Sequence, residues 1–410
     1  MSQNNTTSST SFSEQDYTMM ALAIKLAKKG QYTTTPNPNV GCVIVKDGAI
    51  LGQGWHQKSG TGHAEVNALQ ALSIQQTAGA TAYVTLEPCS HYGRTPPCAL
   101  RLKEAKIKKV IVAMLDPNPL VAGNGVAMLQ EAGIEVQIGL LETDARALNP
   151  GFLSRMERQQ PHVRLKLATS VDGKIALHNG ESKWITGPAA RADVQRYRAL
   201  SCAILTTAKT VIRDNARLNV RPDQLNVQYE FTSIVTDIRQ PIKIVLDGKN
   251  KITPEVASGL ALFDCNMGKN QSDNRLTTED KPQVVLVKSE PHFEQATVDF
   301  KEFTNVTIVS SVYNKEKGFC VRDLISHCNQ LSINNLWVEA GSQLSASFLQ
   351  SQVVDELILY MAPIIMGKNA IDCIPLGPFD SMKETKSLNL LDYKMVGDDI
   401  RFTYQPINKH

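Results

Sequence analysis

Long apolar runs are absent from this sequence of 410 residues. No stretch approaches the roughly 20 apolar residues that are needed to cross a bilayer. A strong excess of one charge is also missing, since 43 basic residues nearly balance 40 acidic ones and no basic run occurs. Proteins that bind nucleic acid through phosphate contacts usually show such an excess. We therefore expect neither a membrane protein nor a nucleic-acid-binding protein.

Sorting signals, a disulfide pattern and a dinucleotide fingerprint are missing as well. Residues 1–12 are rich in Ser, Thr and Asn and lack the apolar core of a signal peptide, which predicts a disordered tail and a cytoplasmic protein. The eight cysteines are scattered along the chain, which favours metal binding or burial over disulfides. No Gly-x-Gly-x-x-Gly follows a strand pattern, and this argues against a Rossmann domain.

The length of the chain predicts two domains. A polar helix over 141–158 leads to Gln159-Gln160-Pro161, where we place the boundary between domains 13–160 and 161–410. Alternating strand and helix patterns predict a three-layer α/β first domain with a largely parallel sheet and a second α/β domain. A polar segment, 264–282, predicts a long surface loop. The predicted strands are 40–45, 49–55, 81–86, 109–115, 134–138, 163–168, 203–206, 243–246, 283–287, 336–339 and 356–361, and the predicted helices include 63–74, 97–105, 126–132, 188–199 and 342–350.

Three residues of the first domain have the types and positions of zinc ligands. His63 opens a predicted helix, Cys89 follows a predicted strand, and Cys98 comes after eight intervening residues. One imidazole and two thiolates leave a fourth position of zinc for water, which is typical of a catalytic site, and the metal lowers the pKa of that water. Glu65, two residues beyond His63, is predicted to move the proton from water to the leaving ammonia. This is the ligand pattern of zinc deaminases, which usually have only two residues between the cysteines.

Several segments together resemble the bifunctional deaminase–reductase family of riboflavin biosynthesis. The resemblance covers nearly the whole chain, from about residue 12 to about residue 404, and the long cysteine loop is its most specific mark. The segments are 35–41 (TPNPNVG), 63–65 (HAE), 87–98 (EPCSHYGRTPPC), 170–176 (SVDGKIA), 180–186 (GESKWIT) and 338–341 (VEAG).

The resemblance implies two consecutive reactions. The first domain, cytidine-deaminase-like in fold, would remove the 2-amino group of 2,5-diamino-6-(5-phosphoribosylamino)pyrimidin-4(3H)-one. The second, dihydrofolate-reductase-like in fold, would use NADPH to reduce the ribosyl group, giving 5-amino-6-(5-phosphoribitylamino)uracil. We expect Zn²⁺ and NADPH as cofactors, a small phosphoribosyl-pyrimidine as the partner, and a homo-oligomer.

The resemblance also implies binding residues. In the deaminase, Asn37 and His56 would hold the pyrimidine, and Arg94 would contact the phosphate, for which a guanidinium is suited. Without the resemblance, an Asn-Pro turn describes Asn37 about as well. The alternatives for His56 and Arg94 are a strand-end surface histidine and a solvated loop charge. The implied cofactor contacts of the reductase are Ala168, Trp184, Thr210, Asp214 and Gly341, and the implied substrate contacts are Ser182, Arg198, Leu218, Arg221 and Glu339.

The second half departs from the family pattern after Asp214, where Asn215-Ala216 stand in place of Asp-Pro, and at Ser342, which replaces a frequent proline. These changes put the shape of the loop after Thr210 in question. A nucleoside or RNA deaminase with an appended domain of other function is the alternative. A non-catalytic zinc protein would need a fourth protein ligand, for which Cys42 or His91 is available.

Overall fold

The structure is a computed structural model that describes residues 11–92, 96–118, 121–225, 238–264 and 283–407. The chain separates into two compact units, 1–159 and 160–410. Of the predicted tail, residues 1–10 lie outside the described residues, whereas Phe12 packs against Tyr17 with ring centroids 6.4 Å apart. The predicted loop at 264–282 lies outside them except for Asp264. Within the described ranges, no helix is long and apolar enough to span a membrane.

The first unit is built on a five-stranded sheet in the order β2-β1-β3-β4-β5. β1 pairs antiparallel with β2 and β3, whereas β3, β4 and β5 are parallel, so the sheet is mixed rather than largely parallel. Its strands are β1 Gly41–Lys46, β2 Ala49–Trp55, β3 Thr81–Val84, β4 Lys109–Val112 and β5 Glu135–Ile138. Its helices are α1 Glu14–Ala27, α2 Ala64–Leu69, α3 Ile74–Thr77, α4 Cys98–Glu104, α5 Asn124–Glu131, α6 Glu142–Ala147 and α7 Pro150–Arg158.

Helices cover both faces of this sheet, and the three layers predicted from the sequence are confirmed. One core joins the sheet to α2, α4 and α5 through alanine and leucine side chains such as Ala68, Leu102 and Leu129. The other joins it to α1, α6 and α7 through Met20, Leu153 and their neighbours. The α2–α4–α5 layer carries the predicted zinc ligands.

Two predicted helices of the first unit are wrong in extent. The helix predicted at 63–74 ends at Leu69, and α3 begins separately at the capping box of Ser73. The single helix predicted at 141–158 is divided at Asn149, whose amide exchanges two hydrogen bonds with the Asn39 backbone. Pro150 then starts α7, where its missing N–H costs nothing.

The second unit contains a nine-stranded sheet in the order β11-β10-β9-β8-β14-β6-β15-β18-β17. It is parallel from β11 to β15, and β17 and β18 are antiparallel. The strands of this sheet are β6 His162–Ser170, β8 Ala203–Thr207, β9 Ile242–Asp247, β10 Val284–Lys288, β11 Val306–Ser310, β14 Asn335–Glu339, β15 Glu356–Ala362, β17 Leu388–Val396 and β18 Asp399–Pro406. Two small sheets pair β7 Lys174–Ala176 with β16 Ile371–Asp372, and β12 Tyr313–Asn314 with β13 Gly318–Phe319. The helices are α8 Pro188–Leu200, α9 Ala208–Asp214, α10 Pro254–Ser258, α11 Glu290–Asp299, α12 Val321–Gln330 and α13 Ser342–Gln350.

Two apolar cores lie on opposite faces of the large sheet because the side chains of each strand alternate between them. The end of β14 shows the alternation: Val338 belongs to one core, whereas Trp337 belongs to the other. Glu339 therefore shares the face of Trp337 and lies at the carboxyl edge of the parallel strands. In open α/β sheets this edge is where ligands bind.

Candidate active sites

The three predicted zinc ligands converge in the first unit. His63 is the N-cap residue of α2, Cys89 follows β3, and Cys98 is the first residue of α4. Nδ1 of His63 lies 3.6 Å from Sγ of Cys89 and 3.3 Å from Sγ of Cys98, and all three ligand atoms lie within 4.8 Å of one another. Tetrahedral zinc, with bonds of ~2.3 Å to sulfur and ~2.0 Å to nitrogen, would hold such N···S pairs ~3.6 Å apart. The side chains therefore fit a zinc ion.

The start of α4 stabilises negative charge on Cys89. The backbone N–H of Cys98 donates to Sγ of Cys89 at 3.3 Å, and Ala99 N–H donates to the Cys89 carbonyl oxygen at 3.2 Å. A hydrogen bond between the two cysteine side chains lowers the pKa of Cys89 to about 4 and, with burial, raises the pKa of Cys98. A cation bound at this position would stabilise both thiolates.

Glu65 lies beside the ligands without belonging to the ligand group. It is 3% exposed in the first turn of α2, and its carboxylate contacts the Cys98 side chain. Burial, followed by the negative charge of Cys89, raises the pKa of Glu65 to about 7. Among the described residues, neither Cys42 nor His91 joins the ligand group, and Cys42 is buried in the core. The arrangement fits an open zinc site with a titratable carboxylate beside it.

Asn37 and His56 are hydrogen-bonded to each other. Nδ1 of His56 lies 3.1 Å from the Gly62 carbonyl oxygen, which can only accept, so Nδ1 carries the proton. Nε2 of His56 then accepts from the Asn37 amide nitrogen at 3.2 Å. Burial lowers the pKa of His56, which keeps the ring neutral. His56 is 3% exposed, and its hydrogen bond to Asn37 orients the Asn37 amide. Arg94 lies outside the described residues.

In the second unit, two predicted substrate contacts form an ion pair whose side chains are 13% and 17% exposed. Nε of Arg198 donates to Oε1 of Glu339 at 2.7 Å, and Nη2 donates to Oε2 at 2.9 Å. Trp337 Nε1–H also donates to Oε1 at 2.9 Å, and Nη1 of Arg198 donates to the Asn219 carbonyl oxygen. Burial opposes the charge of Glu339, but Arg198 outweighs it and lowers the pKa of Glu339 to about 2.

The conformation of the loop after α9 accommodates Asn215, where the sequence departs from the family pattern. This residue ends α9 in the left-handed conformation (φ 45°), which asparagine tolerates better than most residues. Its Oδ1 accepts from Ala261 N–H at 2.8 Å, which ties the loop to its neighbour. Leu218 is 3% exposed and packs in the core, and its contact with a substrate stays a prediction. Arg221 is exposed, with its backbone N–H bonded to Gln195.

The other predicted reductase contacts lie at or near the carboxyl edge of the sheet. Trp184 is 71% exposed, and the Arg191 guanidinium lies 4.4 Å from its ring centroid. Arg213, which the sequence did not single out, donates to Ser182 at 2.8 Å and to Asp214 at 3.3 Å. The remaining positions are Ala168 within β6, Thr210 in α9, and Gly341 as the N-cap residue of α13. Their contacts with a cofactor stay predictions.

Family models match both units. The cytidine and deoxycytidylate deaminase zinc-binding region matches residues 13–114, and the RibD C-terminal domain matches residues 161–401. Among curated relatives, the riboflavin biosynthesis protein RibD of Haemophilus influenzae is 46% identical over 399 residues, covering 96% of this chain and 98% of its own. The chain belongs to the RibD family. RibD of Escherichia coli is 42% identical, covering 94% of this chain and 98% of its own.

Solved structures agree with this assignment. Acinetobacter baumannii RibD superposes with a TM-score of 0.81 at 41% identity, covering 96% of this chain and 99% of that one. A deaminase/reductase from Thermotoga maritima gives 0.76 at 30% identity, with the same coverage. The chain is thus a bifunctional deaminase and reductase of riboflavin biosynthesis, with the two folds expected from the sequence. A deaminase with an unrelated appended domain is excluded, because the second half has its own RibD match.

Proposed function

We propose that the chain converts 2,5-diamino-6-(5-phosphoribosylamino)pyrimidin-4(3H)-one to 5-amino-6-(5-phosphoribitylamino)uracil. Residues 13–160 would deaminate and residues 161–410 would reduce with NADPH. The observation that carries the proposal is the convergence of His63, Cys89 and Cys98 beside Glu65 in a chain whose other unit is a RibD reductase domain. The related Thermotoga maritima structure is described as a deaminase and reductase of these phosphoribosylaminopyrimidine compounds.

The deaminase chemistry is assigned to residues of the first unit. His63, Cys89 and Cys98 would hold the zinc ion, which would supply water of lowered pKa. The Glu65 carboxylate would accept a proton and deliver it to the departing amino nitrogen. Asn37, held by His56, presents its Oδ1 to a pyrimidine N–H, since its Nδ2 is used by His56.

The reductase chemistry is assigned to the carboxyl edge of the large sheet. When bound, NADPH supplies the hydride for C1′ of the ribosyl group. Trp184 offers an exposed aromatic face for the cofactor. Glu339 accepts hydrogen bonds from the sugar hydroxyls, and Arg221 is the exposed guanidinium for the phosphate. Accurate placement matters because a shift of about 1 Å can cost on the order of 100-fold in rate.

Product analysis tests the proposal directly. The purified chain is incubated with the diaminopyrimidine, with and without NADPH, and products are identified by mass. We expect the deaminated ribosyl compound without NADPH, and the ribityl compound together with loss of 340-nm absorbance when NADPH is present. Deaminated product without NADPH oxidation would contradict the reductase assignment, and unchanged starting material would contradict both.

We also propose a cytoplasmic homo-oligomer. The edge strand β17 supports self-association, because Leu390, Tyr393 and Met395 on it are 52–67% exposed, and exposed apolar edge strands favour pairing with another chain. Sedimentation analysis of the purified chain tests this, and a monomer at all concentrations would contradict it.

A further inference from the structure

Glu87 makes an unusual set of contacts directly before the zinc ligand Cys89. Its side chain is buried, at 4% exposure, yet the described residues show no cation paired with it. Instead its two carboxylate oxygens accept four backbone N–H groups. Oε2 accepts from Asp116 at 3.1 Å and Gly123 at 3.0 Å, and Oε1 accepts from Gly125 at 2.8 Å and Val126 at 3.1 Å.

Three of these four donors belong to the start of α5. The unpaired N–H groups and the dipole of a helix N-terminus attract an anion, and here the anion is the chain's own carboxylate. No Ser, Thr, Asp or Asn caps this helix, because its N-cap residue is Gly123 at φ 81°. Glu87 therefore takes the place of a capping side chain, and it links α5 to the segment that leads to Cys89.

The link is tight because α5 touches that segment directly. A Cβ atom on Gly125 would lie 1.9 Å from the Pro88 carbonyl oxygen, so only glycine permits this approach. On its other side Cys89 is held by the start of α4, through Ala99 N–H to its carbonyl oxygen and Cys98 N–H to its sulfur. The Pro88–Cys89 peptide is thus fixed between two helix N-termini.

Cys89 differs from the other two candidate ligands because no helix or strand positions it. His63 is the N-cap residue of α2 and Cys98 is the first residue of α4, so a helix positions each of them. Cys89 lies in neither a helix nor a strand. Its position relative to α5 depends on contacts from the residues before it, and among these Glu87 accepts three hydrogen bonds from the start of α5.

We propose that Glu87 is a positioning residue of the zinc centre: by capping α5 it fixes the Pro88–Cys89 peptide and so places the Cys89 sulfur for metal binding. The proposal rests on the proposed zinc site and adds a residue that does not contact the metal. Residues that orient metal ligands typically change metal affinity by 10- to 100-fold when altered.

The test replaces Glu87 with glutamine in the full-length chain. E87Q keeps the size of the side chain, but its amide NH₂ would face two N–H donors where the carboxylate accepts two hydrogen bonds. We expect E87Q to fold and to bind zinc about 10- to 100-fold more weakly in competition with a chromophoric chelator. We also expect the absorption bands of the Co²⁺-substituted chain to shift, because they report the arrangement of the thiolate ligands.

E131Q is the matched control, since Glu131 is exposed in the same helix α5 and the change removes the same charge. It should leave zinc affinity and the Co²⁺ spectrum at their wild-type values. Wild-type affinity and spectrum in E87Q, even with a lowered melting temperature, would overturn the proposal and leave Glu87 a purely structural role. If E87Q does not fold, E87D, which keeps the anion but shortens its reach, is judged by the same two measurements.

Failure of the zinc site itself would be visible separately. In that case the wild-type chain would bind no zinc and Cys98→Ala would change nothing, whatever the behaviour of the Glu87 variants.

Discussion

Replacing Glu339 with glutamine should destabilise the reductase unit, and the structure indicates by how much. The pKa of Glu339 falls from 4.5 to about 2 on folding, because Arg198 outweighs the effect of burial. At about 1.4 kcal/mol per pKa unit, the ionised carboxylate contributes about 3 kcal/mol to the free energy of unfolding at neutral pH. Removing one partner of a buried ion pair typically costs about 3–5 kcal/mol, which agrees. Lys166, whose pKa is lowered by burial, adds a second cation that Glu339 partly neutralises.

The effect should depend on pH with a definite sign. Because folding lowers the pKa of Glu339, its contribution is complete above the unfolded pKa of about 4.5 and is lost as the pH falls towards 2. The stability difference between wild type and E339Q should therefore narrow by ~1 kcal/mol between pH 7 and pH 4.

Urea unfolding followed by tryptophan fluorescence measures this difference, since Trp337 is fully buried and bonded to Glu339. E302Q is the control, because Glu302 is an exposed residue of the same unit and the substitution removes the same charge. Equal stability of E339Q and wild type at pH 7, or a difference that does not change with pH, would refute the reasoning.

Three further predictions concern other parts of the chain. E65Q should retain zinc and lose deamination by roughly 10²–10⁴-fold, the usual contribution of general acid–base catalysis; near-normal turnover would contradict the proton-carrier role. K288M should lower the free energy of unfolding by about 3–5 kcal/mol. Lys288 is fully buried and donates to Asp247 at 2.7 Å, so removing the ammonium leaves the Asp247 carboxylate buried without a counter-charge. Urea denaturation measures the change, and a K288M variant as stable as wild type would contradict the prediction. A fragment of residues 1–158 should deaminate without NADPH; a folded, zinc-binding but inactive fragment would show that deamination needs the second unit.

The convergence of the three candidate zinc ligands could be predicted from sequence because the position of each is determined locally. His63 and Glu65 begin one helix, and Cys89 and Cys98 lie nine positions apart at the ends of one loop. Each element presents its ligand at a terminus, where the position of one residue defines the geometry. The spacing of these residues in the sequence is therefore enough to predict that they converge.

The Arg198–Glu339 pair could not be predicted in this way. The two residues are separated by 141 positions, and they meet because β14 lies beside β8, the strand that follows α8. The resemblance placed both residues near the substrate but contains no information about their mutual contact. The hairpin of β17 and β18 was missed for a different reason: its residues on β17 are mostly exposed, so no strong apolar period marks that strand.

The division of the predicted helix at 141–158 shows how a distant contact overrides a local pattern. The segment has helical composition throughout, but Asn149 leaves the helix to bond the Asn39 backbone through its amide. Asn39 lies two residues beyond Asn37 in the same 35–41 segment, and the resemblance assigns Asn37 to substrate binding. The break in the helix thus supports the loop that carries a candidate binding residue.

The ion pair also bears on the role of Glu339 in the reductase. A group that donates a proton during reduction must be protonated in a useful fraction of molecules near neutral pH. Arg198 lowers the pKa of Glu339 to about 2, and this argues against that role because it favours the ionised carboxylate near neutral pH. Its oxygens accept hydrogen bonds from Arg198 and Trp337, and a carboxylate retains further lone pairs for sugar hydroxyls. We infer that Glu339 orients the sugar, and that Arg198 acts through Glu339 rather than as the principal phosphate anchor. Arg198→Ala should then impair the reductase mainly by displacing Glu339, whereas Arg221→Ala should weaken phosphate binding and raise the KM with little loss of stability.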